Sequence, residues 1–264
     1  MANIVITGST KGIGFGLARE FASRGHKVMI VGSSTDSLTA ALQQLPADSG
    51  VLGSVANVRH FDQVQALWDD ATAAFGSVDI WINNAGIART VWSILDTPAD
   101  QIEAMITTNM LGTINGSRVA ATGMVAQGSG KIFNMLGGGS DGEMFPGMGI
   151  YGSTKRGLDY FTNALTKELK DSPIIIAKIR PGMIITEGVV REARADLDNF
   201  QKSRKIMNNL VDTVDTVAPW LVTEILATDK SGRKIRWLNG GKIAVRMLKS
   251  RFKSRPDQFE AFGL

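Results

Sequence analysis

The chain has 264 residues, 44% hydrophobic and 20% charged, and a formal net charge of +4. That is long enough for one large α/β domain with a substantial core, and with no repeats or low-complexity blocks it excludes extensive disorder. With no cysteine and only two histidines, His26 and His60, there is no disulfide, no thiolate chemistry and no His/Cys metal constellation, so no metal is expected. The mild charge gives no reason to expect nucleic acid. The opening Met1-Ala-Asn-Ile-Val-Ile6 enters a strand directly, and no stretch reaches the ~18 apolar residues of a membrane span, so a cytosolic protein without a leader is expected.

In chain order, Ile4-Val-Ile6 runs into Thr7, Gly8, Ser9, Thr10, Lys11, Gly12, Ile13 and Gly14, followed by a helical pattern from Phe15 to Arg24. A strand, a glycine turn and a helix N-terminus let backbone approach a pyrophosphate, which the unpaired N–H groups favour. The next strand, Lys27 to Val31, ends in Gly32, Ser33 and Ser34 where an NAD site usually offers an acid to the adenosine ribose. With Lys11 nearby and two hydroxyls in place of a carboxylate, a 2′-phosphate is accommodated, and NADPH is expected over NADH.

A helix from about Asp36 to Leu45, a strand over Val51–Val55 and a helix over Phe61–Phe75 complete a βαβαβ half, with Asn57 and Val58 placed to edge the adenine. The strand Val78–Ile82 runs into Asn83, Asn84, Ala85 and Gly86, small and amide side chains suited to close packing beneath a cofactor. A helix pair split near Asn109 follows, since a mid-helix asparagine competes for backbone hydrogen bonds.

An apolar strand over Lys131–Met135 leads into Gly137, Gly138, Gly139 and Ser140, and then to the pentapeptide Tyr151-Gly-Ser-Thr-Lys155. Residues four apart share a helix face, so a phenol and an ammonium become neighbours. The ammonium stabilises the phenolate, making the tyrosine a general acid for a carbonyl. A continuous apolar strand over Ile174–Ile179, as a two-sided parallel sheet requires, ends in Arg180, Pro181, Gly182, Met183, Ile184, Ile185 and Thr186. Gly188 to about Asn209 reads as a helical lid, Val214 to Ala227 as a helix on the sheet and Lys234 to Leu238 as a last strand. From Lys230 to Arg255 there are ten Lys/Arg and no acid. In this basic tail, at about 239–264, Ile243, Met247, Leu248 and Phe252 share a helical face that either packs on the body or another subunit or touches anionic membrane.

Together, TGxxxGIG at Thr7–Gly14, NNAG at Asn83–Gly86, Asn109, YxxxK at Tyr151 and Lys155, and PGxxxT at Pro181–Thr186 resemble the short-chain dehydrogenase/reductase family up to about Leu238. The resemblance implies a single α/β domain over 1–264, a Rossmann-type doubly wound parallel sheet of about seven strands with helices on both faces, commonly a homodimer or homotetramer. It implies that Tyr151 protonates the carbonyl oxygen. Lys155 lowers the tyrosine pKa and holds the nicotinamide ribose, Asn109 anchors a relay water and Thr186 orients the nicotinamide amide. The family's serine, thirteen residues before the tyrosine, is here Gly138, so either Ser140 or loop N–H groups replace it or catalysis is weak.

The segments IFNMLGGGSDG, WINNAG and RPGMIIT look most like the chlorophyll(ide) b reductase branch, which uses NADPH to reduce a formyl group on a chlorin. Gly138, Met144, Phe145, Met148, Met183 and Ile184 would then line a wide apolar substrate site, unless the apolar ones merely pack under the lid or against a neighbouring subunit. Another ketone or aldehyde, of acyl or steroid type, is the alternative substrate, and a dinucleotide-bound sensor with little turnover the alternative class.

Overall fold

The computed structural model describes every residue except Asp48 and Ser254. Seven parallel strands form one sheet: β1 (Asn3–Ile6), β2 (Lys27–Gly32), β3 (Val51–Val55), β4 (Ile80–Asn83), β5 (Gly130–Met135), β6 (Ile174–Arg180) and β9 (Lys234–Arg236). Across the sheet they follow the order β3-β2-β1-β4-β5-β6-β9. The small strands β7 (Ile184–Ile185) and β8 (Asp212–Thr213) pair separately. Strands buried on both faces need continuous apolar runs, and Ile4, Val5 and Ile6 are all fully buried.

Helices α1 (Gly12–Ser23), α2 (Thr35–Leu42) and α9 (Val214–Leu226) lie beyond one face, where Leu17, Phe21, Leu221 and Ile225 pack on Ile4, Ile6 and Ile30. On the other face lie α3 (Phe61–Phe75), α4 (Ala99–Met105), α5 (Gly112–Gln127) and α6 (Gly149–Glu168), with Leu67, Trp68, Val119 and Met124 against Val5 and Trp81. Strand order reverses between β1 and β4, and such a switch point opens a crevice at the carboxyl ends of the strands.

The helix around Asn109 is widened rather than split: Ile106–Leu111 forms a π-turn between α4 and α5, with helical backbone at both junctions. Such turns are often found at functional sites. The lid region is two helices, α7 (Glu187–Ala195) and α8 (Leu197–Leu210). Glu192 of α7 accepts from the Thr90 backbone at 2.7 Å, tethering the lid to the segment after β4.

The basic tail is docked on the body. It contains α10 (Gly240–Lys249) and a short 3-10 turn, Glu260–Phe262. Phe259 is fully buried against Phe200, and the nearly buried Asp212 carboxylate accepts from Trp237, Arg246 and Arg255. Packing therefore accounts for Phe259 and part of Ile243, whereas Met247, Leu248 and Phe252 stay exposed. Among the described residues no helix is long and apolar enough to cross a membrane.

Candidate active site

The glycine turn after β1 is shaped by close approaches. Gly8 and Gly12 have φ of +61° and +57°, the left-handed region that glycine tolerates, and a Cβ on Gly8 would lie 2.6 Å from the Ala85 backbone. A side chain at Gly14 would overlap Asn84, whose Nδ2 donates to the carbonyls of Thr7 and Gly8 at 3.0 and 2.8 Å. Thr7 Oγ1 accepts from the N–H groups of Asn84 and Ala85, so the turns after β1 and β4 are locked together. Ile13 packs on the core and Thr10 beneath Gly32.

Four residues expected at the cofactor have their side chains engaged elsewhere. Ser9 Oγ is buried between the Ile6 carbonyl and the Val31 N–H, tying β1 to β2. Ser34 caps α2, leaving exposed Ser33 and Lys11 as the freer polar groups. Val58 is buried against Gly112, so only its backbone can edge a base, and Asn57 Oδ1 accepts from the Arg59 N–H.

Tyr151 and Lys155 lie on α6, facing the glycine loop and the turn after β4. Lys155 Nζ donates to the Met135 carbonyl at 3.0 Å and lies 5.8 Å from the centre of the Tyr151 ring. Gly86 is flanked by Asn109 and Lys155: a Cβ there would be 3.3 Å from Asn109 Oδ1 and 3.6 Å from Lys155 Nζ. Asn109 exchanges two hydrogen bonds with Ile87 and donates to Thr154 on α6. Thr186 caps α7, and its Cγ2 would stand 3.4 Å from a Cβ on Gly12. Pro181 is buried, and Gly182 turns with φ +85° against Leu238.

The electrostatics depart from the sequence expectation. Burial pushes the Tyr151 phenol up to about 12, and the charge that pulls it the other way is Arg180. Burial also lowers the Lys155 ammonium to about 8. At Tyr151 desolvation outweighs the attraction of Arg180, and at Lys155 desolvation acts alone.

The glycine loop also differs in register. The position facing the tyrosine is Gly137, where a side chain would overlap the Tyr151 hydroxyl, whereas a Cβ on Gly138 would meet Met148 Cε at 2.5 Å. Ser140 does not reach the tyrosine; its Oγ is buried without a hydrogen-bond partner. Glu143 takes the N–H of Gly139 at 3.2 Å. Among the described residues, the N–H groups of partly exposed Gly137 and Gly138 have no protein acceptor.

Of the expected substrate walls, Met144 and Phe145 are exposed and Met148 borders Gly138. Ile184 is buried in β7, and Met183 packs with Phe200 and Phe259, so the segment after β6 is a packing element rather than a wall. Sequence reasoning missed Arg180, although its place at the carboxyl end of a buried strand was a signal. It also missed the buried network in which Asn83 joins Trp81, Ser117 and Asn134, and Asn134 joins Thr162 on α6.

A dinucleotide turn at the switch point with a Tyr/Lys pair beside it defines a nicotinamide-dependent oxidoreductase fold. The family description "short chain dehydrogenase" matches residues 2–197, and the chain belongs to that family, whose members are NAD(P)-dependent oxidoreductases acting on alcohol and carbonyl groups. The chlorophyll(ide) b reductase NOL of Oryza sativa subsp. japonica is 36% identical over 257 residues, covering 93% of this chain and 74% of that protein. The probable chlorophyll(ide) b reductase NYC1 of Arabidopsis thaliana is 31% identical over 267 residues, 94% of this chain, which spans only 53% of that relative's length. Among solved structures, ElxO with NADP bound superimposes with a TM-score of 0.79 at 25% identity, over 92% of this chain and 99% of that one.

Proposed function

We propose that this chain uses NADPH to reduce the carbonyl group of a bulky apolar compound, with the formyl group of a chlorin such as chlorophyll(ide) b as the leading candidate. The glycine turn fits a dinucleotide, because Gly8 and Gly12 keep partly exposed backbone in the left-handed region while buried Gly14 lets the start of α1 close on Asn84 and Ser9. Lys11 and Ser33 receive a 2′-phosphate with no acid at the end of β2 to repel it. When bound, the cofactor supplies the hydride.

The chain's own residues supply the proton and the orientation. Tyr151 donates to the carbonyl oxygen, and Lys155 in its charged form holds the ribose and favours the phenolate left behind. The free N–H groups of Gly137 and Gly138 polarise the oxygen in place of the absent serine hydroxyl. Asn109 fixes the turn after β4 against α6.

The observation that carries the substrate class is the exposed apolar rim. Ile94, Leu95, Met144 and Phe145 are 65%, 94%, 91% and 59% exposed. The two rim segments touch, since Gly147 lies against the Thr90 carbonyl and Gly149 against Ile94. An apolar rim beside a proton donor suits a wide hydrophobic molecule. The naming of two relatives as chlorophyll(ide) b reductases supports the chlorin. A peripheral lipid contact belongs to the same proposal, supported by exposed Val245, Leu248 and Phe252 among the cations of α10 and its C-terminal flank; salt-independent failure to co-sediment with anionic vesicles would remove it.

The test is NADPH consumption with formyl-chlorins, small aromatic aldehydes, and acyl or steroid ketones. The proposal expects formyl-chlorins to be reduced with the highest kcat/KM. Preference for a small aldehyde or for a steroid ketone would reject the chlorin, and no consumption with any of them would favour a dinucleotide-bound sensor.

A further inference from the structure

Three successive glycines give the loop its own backbone turns, Ser140 N–H to Gly137 and Gly142 N–H to Gly139, but no side chain to fix it against the body. It is anchored from outside. Arg180, the last residue of β6, binds Asp141 through Nη1 at 3.0 Å and the Glu143 carboxylate through Nη2. Glu143 in turn accepts the N–H groups of Gly139 and Asp141 at 3.2 Å each. Lys234 and Arg236 of β9 also reach Asp141, and Arg156 of α6 donates to the Ser140 carbonyl at 3.0 Å. Arg180 Nε is left buried with no partner, an arrangement that costs free energy unless the site uses it.

The same guanidinium is the charge that acts on Tyr151 against the effect of burial. Lys155 on α6 lies beside the Tyr151 ring, and the charges that meet Arg180 are Asp141 and Glu143 in the loop, with Lys234 and Arg236 on Asp141 and Arg156 on the Ser140 carbonyl. We propose that Arg180 is a positioning residue for carbonyl reduction: through Asp141 and Glu143 it holds the Gly137–Gly139 wall against the Tyr151 hydroxyl, and it presents positive charge to that hydroxyl as the proton leaves. This rests on the reading of Tyr151 as the proton donor. It gives a serine-less site a second means of steadying the forming phenolate, from a strand end rather than from the loop.

The test uses the chain's tyrosine content. Only Tyr151 and Tyr160 are present, and Tyr160 is 78% exposed. Incorporating 3-fluorotyrosine gives two fluorine resonances, assigned with Tyr151→Phe, and lowers both phenol midpoints, with circular dichroism on the same samples marking the pH range over which the fold persists. In the full-length protein without cofactor, Arg180→Met should move the Tyr151 midpoint upward by about one pH unit, leaving Tyr160 in place. Glu143→Gln, which keeps the guanidinium but frees it from a carboxylate, should move it downward. If Arg180→Met fails to fold, the Glu143→Gln titration decides alone. An unmoved Tyr151 midpoint in the folded variants overturns the proposal and reduces Arg180 to a loop brace. In activity, Arg180→Met should lower kcat more than it raises KM, and Arg180→Lys should restore part of the loss. The titration needs no substrate, so a wild-type protein that reduces no carbonyl compound would reject the proposed function while the effect of Arg180 on the Tyr151 hydroxyl would still be measured.

Discussion

The Tyr151 hydroxyl occupies the space that a side chain at Gly137 would fill. The missing serine therefore leaves no gap in this site; the proton donor itself takes the room. Gly137→Ala should push the phenol out of line with the carbonyl and lower kcat by ~10²-fold, the order of loss that a displacement of ~1 Å produces. Gly138→Ala should be mild, because its new methyl meets the flexible end of Met148. Steady-state kinetics of the two variants side by side check this, and equal losses would contradict the assigned register.

Ser140→Ala should leave kcat and KM unchanged. Its hydroxyl is fully buried with no hydrogen-bond partner, so removing it takes nothing from a substrate and relieves an unsatisfied polar atom. Thermal unfolding should show equal or slightly higher stability. A large fall in kcat would mean that the loop rearranges to present this hydroxyl.

The pH dependence should separate function from stability. Burial holds Lys155 at about 8, so its charge is present below that pH and lost above it, and kcat/KM should fall as pH rises through about 8. The Tyr151 phenol, pushed up to about 12, stays protonated across this range. Stability should move the other way. The unfolded lysine holds its proton up to its ordinary value of 10.5, so between about 8 and 10.5 the unfolded state binds more protons and the Lys155 contribution to stability rises with pH. Activity and denaturant unfolding measured on the same samples check both signs.

Much of this molecule is legible in the sequence because its signals are local. The glycine turn, the two-sided apolar strands and the Tyr/Lys spacing each follow from one stretch of chain, and the seven-stranded parallel sheet appears as expected. What escapes depends on partners distant in sequence. Arg180 gains its place through Asp141 and Glu143, some forty residues earlier, and Asp212 through Trp237, Arg246 and Arg255. The register of the loop is not legible because sequence spacing counts residues, whereas the turn between Gly137 and Gly142 sets which glycine faces α6. Ile184 and Met183 read as a substrate wall because an apolar run does not reveal that Ile184 and Ile185 pair with Asp212 and Thr213.

Cofactor choice follows from the end of β2. Ser33→Asp should shift preference from NADPH toward NADH by placing a carboxylate against the 2′-phosphate, while Ser34→Asp should do less, because Ser34 caps α2. Dissociation constants for both dinucleotides, from quenching of protein fluorescence, check the order. Wild-type protein binding NADH as tightly as NADPH would contradict the reading of Lys11 and Ser33.

The most direct test of the central claim, that Tyr151 delivers the proton to a carbonyl oxygen in a serine-less site, is the rate of NADPH oxidation with a formyl-chlorin in wild type and in Tyr151→Phe. The account predicts substrate-dependent oxidation in wild type, a loss of at least ~10²-fold in the variant, and NADPH affinity within a few-fold of wild type. Turnover in Tyr151→Phe close to that of wild type would contradict it.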